Sequence, residues 1–396
     1  MTRDIVDALL TGMLQTSEGV SDLLFVAGKP PLIETHGRLI EFPIDTPDSV
    51  LTAELIESLA RQLINGNDRL TSDLAKAGSC DCSYSLGKIA RFRVNIFKQA
   101  GRHAIVMRRL QSAIPTLEKL GLPPVFHEII KEKNGIVFLT GGTGSGKTTT
   151  LAAMLNELNR TQEIHILTLE DPIEFLHPHQ RAAISQRELG KDFFSFADGL
   201  RAALRQAPKV ILVGEIRDRE TMEIAMTAAE TGHVVFSTLH TINAGQTISR
   251  ILGMFSREEE QQLRQRLAET LRYVISQRLV PKIGGGRLMV SEIMGASLRT
   301  RETILYGESE GKTFGEIIEA GSTLGWHSFD QALLCAYEAA QVTEETAMLY
   351  CSNKGKFRRE LDAAIKRQGA HETQAPSGLK LNVGRPEVKL TAVAAR

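Results

Sequence analysis

Gly141-Gly142-Thr143-Gly144-Ser145-Gly146-Lys147-Thr148 follows the apolar run Ile136-Val137-Phe138-Leu139-Thr140 and precedes Thr149-Thr150-Leu151-Ala152-Ala153-Met154-Leu155. The pattern G-x-x-x-x-G-K-[ST] between a strand and a helix is a P-loop. Glycines let the backbone turn so that several N–H groups face phosphate oxygens, and the helix that starts there adds its N-terminal dipole. Lys147 would neutralise the β- and γ-phosphates, and the Thr148 hydroxyl would ligate Mg²⁺. The expected nucleotide-binding residues are therefore Gly141, Gly142, Thr143, Gly144, Ser145, Gly146, Lys147, Thr148 and Thr149.

The chain of 396 residues has room for two or three domains. Its 42% hydrophobic and 24% charged residues are ordinary for a globular protein. Lys and Arg total 47, as do Asp and Glu, so net charge gives no case for bulk nucleic-acid or membrane affinity. Cys80, Cys82, Cys335 and Cys351 form no C-x-x-C pair, which argues against zinc and suits reduced thiols. No apolar run approaches a membrane span, and Met1-Thr2-Arg3-Asp4 lacks the start of a signal peptide, so a cytoplasmic location is expected.

Residues 1–112 read as an α+β domain. Ile5, Leu9, Leu10 and Met13 have helical spacing, and Ser21–Val26, Leu32–Ile40, Ala90–Phe97 and Ala104–Leu110 read as strands or a hairpin around an amphipathic helix at 48–64. Gln111-Ser112-Ala113-Ile114-Pro115 reads as a linker. From 113 to 366, apolar strands at 136–140, 164–169, 210–213 and 233–238 alternate with helices, which predicts an α/β domain with a mostly parallel sheet. Residues 257–280 read as one long helix before the turn Gly284-Gly285-Gly286, 297–365 as mainly helical, and 367–396 as a disordered tail.

Ligands of open α/β sheets bind at the carboxyl ends of strands. Three further strand ends carry polar groups. Leu167-Thr168-Leu169-Glu170-Asp171-Pro172-Ile173-Glu174 offers clustered carboxylates, of which Glu170 would position Mg²⁺ or orient water. Val210-Ile211-Leu212-Val213-Gly214-Glu215 reads as a Walker B strand, with Glu215 the main candidate to activate water or organise the Mg²⁺ shell. In His233-Val234-Val235-Phe236-Ser237-Thr238-Leu239-His240, His240 would sense the γ-phosphate, while His233 lies at the other end of the strand. Arg91 and Arg93 share one strand face, with Arg102, Arg108 and Arg109 beyond them, and Arg205 and Arg217 flank the Walker B strand and would serve a neighbouring site. Glu215, Glu170, Lys147 and His240 are the expected catalytic set, and Thr148, Glu170 and Glu215 the expected metal set.

Together these motifs resemble the secretion ATPase superfamily and, within it, type IV pilus retraction ATPases of the PilT/PilU kind. The resemblance spans about residues 1–350. It is carried by Ser21-Asp22-Leu23, Arg91-Phe92-Arg93-Val94-Asn95, the P-loop, His165–Phe175, Gln186-Arg187-Glu188, Val213–Asp218, Thr227–His233, Thr238-Leu239-His240-Thr241 and Ile275–Leu279. It implies a PAS-like N-terminal domain before a RecA-like ATPase domain, ATP with Mg²⁺ between them, and a homo-hexameric ring. It assigns Glu170 to an Asp box, Glu215 to Walker B, and His233 and His240 to a His box. Arg91, Arg93 and Arg108 would be charges brought to the phosphates. An inner-membrane platform protein and a paralogous retraction ATPase are the implied partners, with docking at the inner face of the cytoplasmic membrane. Nucleic acid is not expected, since aromatics are only 5% and no basic run lies near the core. Extension and type II secretion ATPases usually carry an additional N-terminal region and a four-cysteine insertion; neither is expected here, which favours the retraction branch. Glu292-Ile293-Met294 leads into Ser297-Leu298-Arg299-Thr300 where retraction ATPases commonly carry an Ala-Ile-Arg-Asn-Leu-like segment, and Ala207-Pro208-Lys209 stands where an acid usually precedes the Walker B strand. A principal retraction motor and an accessory paralogue of weak activity both remain open at this point.

Overall fold

The structure is a computed structural model that describes residues 1–45, 49–111 and 113–373. The first part runs α1 (Arg3–Gln15), β1 (Val20–Phe25), β2 (Leu32–Thr35), β3 (Arg38–Glu41), α2 (Ala53–Ile64), α3 (Asp68–Lys76), β4 (Ser79–Leu86), β5 (Ala90–Gln99) and β6 (Arg102–Leu110). Its sheet has the order β3-β2-β1-β6-β5-β4, antiparallel throughout. Burial along β4 and β5 alternates, because successive side chains point to opposite faces. Phe92, Val94 and Ile96 enter a core with Val6, Leu10, Met13, Ile56 and Leu59. Arg91 and Arg93 are thereby turned to the opposite face. α1 buries Val6, Leu10 and Met13 and leaves Ile5 exposed, one position off the expected stripe. α2 begins at Ala53 rather than 48, where the Thr52 side chain accepts a hydrogen bond from Leu55 N–H and caps it.

The second part runs α4 (Phe126–Ile129), β7 (Gly135–Thr140), α5 (Lys147–Thr161), β8 (His165–Glu170), β9 (Ala183–Glu188), α6 (Phe196–Ala203), β10 (Val210–Val213), α7 (Arg219–Glu230), β11 (Val234–Leu239), α8 (Ala244–Leu252), α9 (Glu260–Thr270), β12 (Leu271–Pro281), β13 (Arg287–Gly295), α10 (Leu298–Tyr306) and α11 (Phe314–Ala320). The sheet order is β13-β12-β7-β11-β10-β8-β9, parallel from β12 to β9. Alternate residues of the central strands sort into two cores. Ile136, Phe138, Leu167, Leu169, Ile211 and Val213 lie in one. Val137, Leu139, Ile166, Val210 and Leu212 lie in the other. Covering both faces explains why these strands read as unbroken apolar runs rather than as alternation.

Residues 257–280 are not one helix. α9 ends at Thr270 and β12 begins at once. Leu271, Val274 and Ile275 recur at helical spacing, yet β12 is buried on both faces, so its pattern cannot tell strand from helix. β9 and β4, with α3, had no reading of their own in the sequence.

The chain divides into two compact units. One holds Met1–Val280 and Arg287–Phe329, and so both sheets; the other holds Pro281–Gly286 and the residues from Asp330 onward. The sequence boundary near residue 112 falls between the sheets, inside the first unit, and Ser112 itself lies outside the described residues. In the second unit α12 (Phe329–Glu338) continues, followed by α13 (Glu344–Tyr350) and α14 (Lys354–Thr373). The Asp330 carboxylate accepts from Ser352 and Asn353 N–H at 2.6 and 3.0 Å, which fixes the turn before α14. α14 runs past residue 367, where disorder was expected, and the remainder of that stretch, 374–396, lies outside the described residues.

Candidate active site

β7 delivers the chain into the glycine loop at the carboxyl edge of the parallel sheet. Gly141 has φ +141°, and a Cβ there would sit 2.5 Å from the Gln277 carbonyl oxygen, so no side chain fits. Gly146, with φ +92°, occupies the N-cap position of α5. The fit to polyphosphate rests on the loop itself. Gly142 and Gly144 have open space where a Cβ would be, and Ser145 Oγ is buried without a partner. Lys147 is buried, and its Nζ donates to Gly141 O at 2.8 Å and Gly142 O at 2.9 Å. Desolvation lowers its pKa, opposed by Glu174 and Glu215. The ammonium is thus held at the loop mouth, short of the bulk water that would stabilise it.

Glu170 ends β8. Its carboxylate accepts from Thr168 Oγ1 at 2.6 Å and from Gln186 Nε2 at 3.1 Å, yet burial outweighs both bonds and pushes it up to about 7. Burial also raises Glu174, against the opposing pull of Arg93, the Thr148 hydroxyl and Lys147, and it raises Asp171. Glu215 follows β10 and pairs with Arg217 Nε at 2.7 Å, with His240 Nε2 at 3.8 Å. Thr238 Oγ1 donates to Gly214 O at 2.7 Å and fixes the end of β10 against β11.

These groups line one cavity of about 410 Å³ that holds Lys147, Thr148, Glu170, Glu174, Glu215, Arg217 and His240, together with Arg93. A second cavity of about 620 Å³ lies between β5 and β6 on one side and residues 143–149 on the other, with Arg93, Arg108 and Arg109 in its wall. A third, of about 480 Å³, is walled by Ile114, Pro115, Leu120, Leu279 and Met289 beside Thr149 and Thr150. A charged chamber and an apolar slot therefore flank one loop.

Not every expected residue comes to this place. Arg91 lines neither charged cavity, because it faces Glu188 at 3.8 Å. Arg205 precedes β10 at its amino end and lines none of the three cavities, since the strand separates it from the carboxyl edge. His233 lies beyond α7, where its Nδ1 contacts Ala228 O at 3.0 Å. It too is at the amino end of its strand, remote from the loop by the length of β11. Arg108 lines the second cavity while bound to Asp22 through Nε at 2.9 Å. Sequence reasoning gave no role to Thr238, Gln277, His177 or Arg287. Gln277 donates to Thr150 Oγ1 at 2.9 Å from β12, a strand that read as helix.

Among the described residues no group of three or more His, Cys, Asp or Glu is arranged to hold a metal by itself. The donor set suits a hard cation bound jointly with phosphate oxygens through one hydroxyl and nearby carboxylates.

A phosphate-binding loop, a buried parallel sheet and carboxylates on two neighbouring strand ends are the parts of a RecA-like P-loop ATPase. The chain belongs to the Type II/IV secretion system protein family, whose profile matches residues 64–371. It is 41% identical over 332 residues to the type IV pilus retraction ATPase PilT of Pseudomonas aeruginosa, a match covering 83% of this chain and 94% of that one. It is 35% identical over 373 residues to the type IV pilus ATPase PilU of the same organism, covering 93% and 95%. A crystal structure of the pilus retraction motor PilT with bound ADP superposes with TM-score 0.77 at 38% identity, covering 89% of this chain and 99% of that one.

Proposed function

We propose that this chain is an ATP-hydrolysing motor that drives type IV pilus retraction. The carrying observation is Arg93: it belongs to the antiparallel sheet yet lines the chamber of Lys147, Thr148, Glu170 and Glu215. Nucleotide held there touches both sheets, so hydrolysis is coupled to their relative movement. Lys147 stabilises charge on the β- and γ-phosphates, Glu215 orients the attacking water with Glu170 in support, and Arg93 meets charge developing on the γ-phosphoryl oxygens. Thr148, with Glu170 and Glu215, would hold Mg²⁺, which neutralises phosphate charge when bound. The apolar slot beside Thr149 takes the base. His240, beside Glu215, reports the γ-phosphate to β11 and α8. Division of the ATPase domain from the first near residue 112, assembly as a homo-hexamer and action on an inner-membrane platform protein from its cytoplasmic side complete the reading. Among the described residues no helix is long and apolar enough to cross a membrane.

The test is hydrolysis by the purified chain and twitching in a strain lacking it. The parent should turn over ATP, Lys147→Ala should not, and the deletion strain should be hyperpiliated and non-motile. Unchanged turnover in Lys147→Ala refutes the site. The segment Ser297–Ile304 keeps an accessory role as a second reading. Weak turnover alone, with stimulation on mixing with a separate retraction motor, would favour it. Stimulation by single-stranded DNA would instead point to a translocase.

A further inference from the structure

Gln186-Arg187-Glu188 has no direct place in the hydrolysis chemistry, yet Glu188 is only 4% exposed. A buried carboxylate persists only where donors surround it. Four groups do so, two from loops of its own half and two from the antiparallel sheet. From its own half, Ile173 N–H donates to Oε2 at 3.2 Å and Lys191 Nζ reaches Oε1 at 2.5 Å. From the antiparallel sheet, Ser83 Oγ of β4 donates at 2.8 Å and Arg91 of β5 lies at 3.8 Å. Lys191 also donates to Ser83 Oγ at 2.6 Å, closing a triangle. A second hold lies one turn further. Asn67 Nδ2 donates to Gly190 O at 3.3 Å, and the Arg69 guanidinium packs so closely on Gly190 that a Cβ there would lie 2.2 Å from Nη2.

Both ends of this junction lead to the chamber. Ile173 adjoins Glu174, which faces Lys147 and the Thr148 hydroxyl. Arg91 stands two residues from Arg93 on the same strand face. We propose that Glu188 is a positioning residue that ties the acidic loop at 171–174 to the antiparallel sheet, so that Arg93 and Glu174 meet the nucleotide in register. Glu188 itself lines neither charged cavity. The inference rests on the ATPase reading above.

Ser83→Ala, Glu188→Gln and the double variant test it, through steady-state ATP hydrolysis and through amide exchange at Ile173 in nucleotide-free protein. Glu188→Gln should lower kcat by about tenfold, as small misplacements of reacting groups do. Ser83→Ala should lower it less, KM should stay within about twofold in both, and the double variant should be no slower than Glu188→Gln. Ser83→Ala, altered only in the other sheet, should speed exchange at Ile173 by about fivefold, the worth of one weakened hydrogen bond. Rates within twofold of the parent, independent multiplication of the two effects, or unchanged exchange at Ile173 would overturn the inference. Should Glu188→Gln not fold, Ser83→Ala and Lys191→Met, both at partly exposed positions, decide it. A parent without turnover counts against the ATPase reading, and exchange at Ile173 then decides the coupling alone.

Discussion

Glu170→Gln should make the nucleotide-free protein more stable at pH 8 and leave it little changed at pH 4.5. Burial raises the Glu170 carboxyl from its ordinary 4.5 to about 7, despite two hydrogen bonds to it. Below pH 4.5 the group is protonated in both folded and unfolded chain. Between 4.5 and 7 the unfolded chain ionises while the folded protein keeps its proton, so stability is lost as pH rises. Above 7 the loss is complete. At 1.36 kcal/mol for each pH step, the span from 4.5 to about 7 corresponds to about 3 kcal/mol. A neutral glutamine still accepts from Thr168 and carries no such penalty. Urea unfolding of parent and variant without nucleotide or divalent cation, followed from pH 4.5 to 8, reads the difference directly. The variant should gain about 3 kcal/mol on the parent across that range. A difference that stays constant with pH would show that Glu170 is not held in a desolvating site, and the reasoning from burial would fail.

Glu215→Gln should keep nucleotide affinity and lower kcat by about 10²-fold or more, read by ADP titration beside steady-state hydrolysis. Arg93→Ala should lower kcat by about 10²-fold or more, checked in single-turnover assays. Gly141→Ala should cost about 1–3 kcal/mol and weaken ADP binding in calorimetry, because its Cβ would press on the Gln277 carbonyl from a φ that only glycine adopts freely. Arg108→Ala breaks the Asp22 pair at a side chain 70% exposed, so its thermal midpoint should move by the equivalent of no more than about 1 kcal/mol.

The parts of the fold legible in the chain were those where local rules act alone. The P-loop, β7, β8, β10 and β11 announce themselves because a glycine loop and fully covered strands leave few alternatives. β12 was hidden because burial on both faces copies helical spacing, and β9 because a short edge strand carries little apolar pattern. The site divided the same way. Residues at strand ends were visible as types in position, whereas Arg91 and Arg93, identical in type and face, parted company only in space. One meets Glu188 and the other the chamber lined by Lys147 and Glu215.

By itself the sequence determined that this protein binds a nucleotide polyphosphate at the end of a parallel sheet, since the loop's glycines and its lysine act through backbone geometry and charge that neighbours in the chain supply. Only the tertiary structure decided which distant groups come near that loop and its carboxylates: Arg93 across from the loop, Gln186 on Glu170, and Glu188 beneath Ile173. Such contacts depend on strand order and on which faces two sheets present, and no spacing along a single chain encodes them.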